Sequence, residues 1–306
     1  MKVEFKKIIK PDELIYPLFV KEDPGLSTKI GSLPGVYRLD LNNLLKEVSR
    51  LKKLGLSKFL IFGIPKKKSR RAESAYQDGN IISRAMQVLK ADYPEISVIA
   101  DVCLCAYTLS GHCRIFKKNN VFDNKATLKT LAEIALTYAK AGADYVAPSA
   151  VARGEVKSIR EALDKNGYGQ VKIIGYSAKF ASNFYGPFRN VANSVPKSGE
   201  RDYQLNFNDK KQIFYKVAED IKAGVDIIMV KPALNYLDII RVVKDRFSFP
   251  LAAYNVSGEY FMVKKGVQSG LWDEKKIVFE IISSIKRAGA DFIITYHAKD
   301  IAKWLS

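Results

Sequence analysis

Two lysines each close an apolar run. Lys231 ends Ile227-Ile228-Met229-Val230-Lys231-Pro232, and Lys179 ends Tyr176-Ser177-Ala178-Lys179. A lysine amine is a poor nucleophile while protonated. Desolvation or a neighbouring cation lowers its pKa and frees the lone pair. The pair therefore reads as a Schiff-base site for carbonyl substrates. The competing reading is ordinary surface lysine, because the chain carries 50 Lys and Arg against 32 Asp and Glu.

All three cysteines fall in one stretch, Asp101-Val102-Cys103-Leu104-Cys105-Ala106-Tyr107-Thr108-Leu109-Ser110-Gly111-His112-Cys113. Three thiolates leave the fourth tetrahedral position open, the pattern of a catalytic rather than a structural zinc. Such a zinc polarises a carbonyl or activates water. Three small buried hydrophobes are the alternative. His112 is a conceivable fourth ligand, although its neighbour already supplies one. Asp101 either orients an ammonium or a metal-bound water, or caps the next turn. Arg189 and Arg201, in a Gly- and Pro-bearing loop that continues to Gln204, are suited to gripping a carboxylate by forked hydrogen bonds, or are solvated loop charge.

Side chains so far apart in sequence need a scaffold. One phrase recurs: Lys140-Ala141-Gly142-Ala143-Asp144, Lys222-Ala223-Gly224-Val225-Asp226 and Arg287-Ala288-Gly289-Ala290-Asp291, with a looser copy at Lys53-Leu54-Gly55-Leu56-Ser57. A cation in the last helical turn, a left-handed glycine and then an apolar run make a helix-to-strand joint. Eight strands are expected near Ile15–Val20, Phe59–Gly63, Val98–Asp101, Tyr145–Pro148, Ile173–Tyr176, Ile227–Val230, Leu251–Tyr254 and Phe292–Thr295. Helices are expected at Leu41–Leu54, Ile81–Ala91, Leu128–Ala141, Gln212–Ala223, Leu237–Phe247 and Glu274–Ala288. The fold class predicted is α/β, a single-domain (β/α)8 TIM barrel, with a doubly wound open sheet as the alternative. In such a barrel the carboxyl ends of the strands carry the active site. That rule puts Asp101, Ser149, Lys179, Lys231, Ser257 and Tyr296 on one face.

The net charge of +18 raises nucleic-acid or membrane binding, but the basic residues are scattered. The one dense run, Lys66-Lys67-Lys68-Ser69-Arg70-Arg71, has no interleaved aromatics to stack bases. No nucleic-acid or membrane partner is expected. The absence of a long apolar run and of a signal-peptide pattern predicts a cytoplasmic protein.

Together these pieces resemble the porphobilinogen synthase (5-aminolevulinate dehydratase) family. The resemblance covers about Leu14 to Leu305. It is carried by Ile15-Tyr16-Pro17-Leu18-Phe19-Val20, Pro34-Gly35-Val36-Tyr37-Arg38, Asp101-Val102-Cys103-Leu104-Cys105, Tyr176-Ser177-Ala178-Lys179 with Phe184-Tyr185-Gly186-Pro187-Phe188-Arg189, Met229-Val230-Lys231-Pro232 and Val256-Ser257-Gly258-Glu259-Tyr260. It implies a condensation of two 5-aminolevulinate molecules with loss of two waters. Lys231 would form a Schiff base with the first substrate, and Lys179 would bind the second. Cys103, Cys105 and Cys113 would hold zinc near the second substrate, which Asp101 and Ser149 help to bind. Arg189, Arg201 and Gln204 would belong to a lid over the first substrate, whose carboxylate Ser257 and Tyr296 would bind.

The departures also carry expectations. The family's Ser-Asp-Met-Met-Asp-Gly reads Ser149-Ala150-Val151-Ala152-Arg153-Gly154 here, and its Asn-Arg-Arg-Glu phrase reads Asp209-Lys210-Lys211-Gln212. Allosteric magnesium is therefore doubtful. Residues 1–13 are expected to form an N-terminal arm shorter than the family's, ahead of a catalytic barrel over residues 14–306. The homo-oligomer is expected to be smaller or weaker than the family's octamer. A catalytically impaired zinc-binding paralogue and a class I aldolase are the competing functions.

Overall fold

The computed structural model describes residues 7–25, 27–119, 121–197, 201 and 203–306. Residues 1–6 of the expected arm therefore lie outside the described residues.

Eight parallel strands close into a barrel: β1 (Leu14–Lys21), β4 (Lys58–Ile64), β5 (Ser97–Val102), β6 (Tyr145–Pro148), β7 (Lys172–Lys179), β8 (Ile227–Lys231), β9 (Leu251–Asn255) and β10 (Phe292–Thr295). Closure is made by β10 on β1, with Leu14 opposite Ile293 and Ile15 opposite Ile294. This excludes the open sheet. A short hairpin absent from the expected elements, β2 (Thr28–Lys29) with β3 (Tyr37–Leu39), lies beside the end of β1.

The helices are α1 (Leu41–Lys53), α2 (Ile81–Asp92), α3 (Asn124–Lys140), α4 (Glu155–Lys165), α5 (Gly186–Val191), α6 (Lys210–Lys222), α7 (Leu237–Phe247), α8 (Ser257–Gln268), α9 (Glu274–Ala288) and α10 (Ala298–Leu305). Sequence reasoning lacks α4, α5, α8 and α10. The recurring joint is what its chemistry demands: Gly55, Gly142, Gly224 and Gly289 all sit at positive φ, between 87° and 114°.

Because strand side chains alternate, each strand serves two cores. Outward residues such as Val98, Ala100, Ile228, Val230 and Ala253 pack against the helices. Inward residues such as Ile99, Ala147, Ile174, Tyr176, Ile227, Met229, Ala252, Tyr254 and Ile294 fill the barrel. Full burial of each branched or aromatic side chain is worth about 1.5–3 kcal/mol. Among the described residues no helix is long and apolar enough to cross a membrane.

Candidate active site

The alternation that fills the barrel also aims the site. In β8, Ile227 and Met229 point inward, so Lys231 two positions on does the same. By the same count Asp101 follows Ile99, Ser149 follows Ala147, and Tyr296 follows Ile294. Lys179 breaks the rule. With Ile174 and Tyr176 inward, an unbroken β7 would point Lys179 outward. Instead the β7–β8 register slips between Gly175 and Ala178, where one extra residue is accommodated, and Ala178 packs outward. The bulge turns Lys179 into the barrel and sets it directly opposite Lys231.

Both lysines are only 6% exposed, which excludes the surface-lysine reading. Lys231 Nζ stands 4.0 Å from the Tyr254 ring centre, 5.0 Å from Tyr176, 5.3 Å from Tyr185 and 5.5 Å from Phe188. Burial, reinforced by the Lys179 ammonium, brings its pKa down to about 7. The Lys179 ammonium donates instead to the Ser149 carbonyl at 2.5 Å. Asp101 completes the group. Burial pushes its carboxyl up to about 6, against a Ser149 hydrogen bond and the pull of both ammoniums. Its Oδ1 is buried without a hydrogen-bond partner.

The sulfurs of Cys103, Cys105 and Cys113 lie within 4.8 Å of one another, all buried. Cys103 and Cys105 also line a small cavity together with Asp101, Tyr107 and Phe188. Hydrogen bonds from Cys103 and Cys105 hold the Cys113 thiol well below its ordinary pKa, while Cys105 and Cys113 push Cys103 well above. Such a cluster could hold a soft metal ion. His112, the conceivable fourth ligand, does not join it: its ring packs on Phe116 at 5.3 Å and Phe122 at 5.9 Å.

Helix α5 and the residues around it cover this mouth. Ser257 does not stand free. Its hydroxyl donates to the Phe184 carbonyl at 3.2 Å and accepts from the Phe188 N–H at 3.1 Å. Tyr296 shares a 3.3 Å hydroxyl contact with Tyr254. Arg201 is buried and donates to the carbonyls of Gly111 at 2.7 Å and Ser194 at 2.6 Å, which ties it to the cysteine loop. Arg189 is half-buried, and burial together with Arg201 lowers its pKa. The Nε atoms of both arginines and Gln204 Nε2 are buried without partners.

Three devices escaped the sequence reading. Arg38 grips the carboxyl end of α5, donating to Val191 O at 3.1 Å and Asn190 O at 3.0 Å. Its motif was visible but its target lies some 150 positions away. Glu259 is fully buried and accepts from Leu234 N at 2.7 Å, Val256 N at 2.6 Å and Asn255 Nδ2 at 3.1 Å, linking the ends of β8 and β9. The only sequence signal was an acid three positions past a helix start. The aromatic cage of Lys231 draws on two barrel strands and the covering segment, so no local window contains it.

The sequence profile described as Delta-aminolevulinic acid dehydratase matches residues 2–304. The chain belongs to the delta-aminolevulinic acid dehydratase family. The dehydratase of Bacillus subtilis (strain 168) is 47% identical over 299 residues, covering 97% of this chain and 92% of that relative. The dehydratase of Archaeoglobus fulgidus is 46% identical over 298 residues, with the same coverage of both chains. The Toxoplasma gondii ME49 delta-aminolevulinic acid dehydratase (porphobilinogen synthase), solved in complex with the reaction product porphobilinogen, superposes with a TM-score of 0.95 at 39% identity, covering 97% of this chain and 85% of that one. Dehydratase relatives of this coverage leave neither an aldolase of other specificity nor an impaired paralogue favoured.

Proposed function

We propose that the protein is a porphobilinogen synthase that joins two 5-aminolevulinate molecules by one C–C and one C–N bond, losing two waters, in tetrapyrrole (heme) biosynthesis. The observation that carries this reading is the pair of inward lysines in register, with the Lys231 pKa at about 7. At neutral pH about half of such an amine is unprotonated, against about one in 2,500 for an ordinary lysine. Its lone pair attacks the ketone of the first substrate. The C–N bond forms, the carbonyl oxygen leaves as water, and the imine remains on Nζ. Lys179, held by the Ser149 carbonyl, takes the ketone of the second substrate. Asp101, with a carboxyl pKa of about 6, exchanges protons between the two amines. Arg189, Arg201 and Gln204 present unpartnered donors to a substrate carboxylate. Tyr296 and Ser257 bind the first substrate beside Lys231, and Ser149 the second beside Lys179.

Cys103, Cys105 and Cys113 fit zinc: three buried, converging sulfurs are soft ligands, which magnesium avoids. When bound, zinc supplies Lewis-acid polarisation of the second substrate's carbonyl. We assign residues 1–13 to the arm. Part of it already serves its own barrel, because Ile9 is buried and Glu13 pairs with Lys286 at 2.8 Å. With a net charge of +18, this supports a homo-oligomer smaller or weaker than an octamer, and the scatter of the basic residues along the chain supports a cytoplasmic protein without a nucleic-acid or membrane partner. Incubation with 5-aminolevulinate and assay for a pyrrole tests the activity. Sustained pyrrole formation is expected, and a folded, zinc-loaded protein that forms none overturns the reading.

A further inference from the structure

The loop after β6 carries no acidic residue between Ser149 and Gly154, yet it supplies the carbonyl that holds Lys179. We infer that Glu155 is a positioning residue for Lys179, acting through the backbone of this loop. Glu155 opens α4 and is 1% exposed. Its Oε1 accepts from the Val151 N–H at 3.1 Å and its Oε2 from the Ala152 N–H at 3.2 Å. Between Ser149 and Glu155 the chain turns sharply. Val151 has φ +57°, a left-handed conformation that a β-branched residue rarely adopts. Such a conformation persists only where the surroundings over-determine it. The carboxylate does so from one side. From the other, the Arg114 guanidinium donates to the Val151 carbonyl at 3.1 Å. Ala150 and Ala152 are fully buried, so the loop faces inward with backbone rather than charge.

Two residues before that strained turn, the Ser149 carbonyl takes the Lys179 ammonium at 2.5 Å, while the Ser149 N–H is fixed to Val102 O at 3.0 Å. The chain of restraint thus runs from the Glu155 carboxylate to two amides, to a turn, to one carbonyl and to Lys179. Lys231 meets that chain only at its last member, Lys179, and its own amine is enclosed by the rings of Tyr254, Tyr176, Tyr185 and Phe188 rather than held by the Ser149 carbonyl. A glutamine at 155 would turn an NH2 toward one of the two amides and set donor against donor. The turn would then relax and release the Ser149 carbonyl. Glu155→Asp keeps a carboxyl group but, one methylene shorter, cannot reach both amides.

The inference rests on Lys179 being the anchor of the second substrate, and the test separates the two claims. Wild type, Glu155→Gln and Glu155→Asp are treated with 5-aminolevulinate and borohydride, and the reduced adducts on the Lys179 and Lys231 peptides are quantified. In Glu155→Gln the Lys179-to-Lys231 adduct ratio falls by about tenfold or more, as an unsatisfied buried donor warrants. Glu155→Asp lowers the ratio in the same direction, and it carries the test if the glutamine variant does not fold. A purely structural role would lower both adducts in step, leaving the ratio unchanged, and that result overturns the inference alone. A wild type with no adduct on either lysine and no pyrrole overturns the functional reading and this inference with it.

Discussion

The ends of β7 and β8 carry the same residue type, directly opposite each other in the sheet, and treat it in opposite ways. At the end of β8 the amine is enclosed by aromatic faces, and burial takes its pKa down to about 7. At the end of β7 the amine donates to the Ser149 carbonyl, while Asp101 acts on both amines. An aromatic cage can hold a cation by its ring quadrupoles, but it cannot replace the hydration that burial removes, so the neutral form gains. Burial thereby lowers the pKa of one amine, and the other amine beside it reinforces that shift. Two lysines one strand apart acquire different chemistry from their surroundings alone.

The predictions that test this contrast begin with Lys231→Ala, which should reduce turnover by at least roughly a thousandfold because it removes the amine whose pKa is lowered to about 7. Steady-state pyrrole formation measures it, and near-normal activity would break the contrast at once. Lys179→Ala should cost less, roughly a hundredfold, with the Lys231 adduct still trappable by borohydride. Loss of the Lys231 adduct as well in that variant would mean that the two sites are one. Chelation, or Cys113→Ser, should reduce activity by roughly ten- to a hundredfold, with about one zinc per chain lost by metal analysis. Magnesium should not restore it, and full activity in a verified zinc-free sample would remove the metal from the account. Arg38→Ala should cost roughly tenfold, since it frees the carboxyl end of α5 and with it Phe188 over the Lys231 amine. Unchanged proteolytic protection of residues 186–191 in that variant would argue against the latch.

The barrel was legible because parallel strands buried on both faces read as continuous apolar runs, and because four glycine joints punctuate them. Helix α4 was equally legible from Val156, Ile159 and Leu163 on one face, and was missed. Helix α8 was harder, since Gly258 and Gly266 interrupt its pattern and depress its helix propensity. The site lysines, Asp101 and the cysteines were visible because they stand at strand ends or cluster in sequence. The inward aim of Lys179 was not, because it depends on a bulge that only the register with β8 creates. Arg38, Glu155 and Glu259 stayed hidden because each binds backbone amides or carbonyls, and any residue can offer those.

The central claim is that Lys231 is the neutral, nucleophilic amine. Borohydride trapping with 5-aminolevulinate across pH 5 to 9, read by mass on the Lys231 peptide, tests it most directly. A lowered pKa means that the reactive form is lost as pH falls through about 7 and is fully present above it. The adduct rate at Lys231 should therefore rise with pH, reach half its maximum near pH 7 and level off by about pH 8. A rate still climbing steeply at pH 9, or an adduct that forms only on other lysines, would contradict the account.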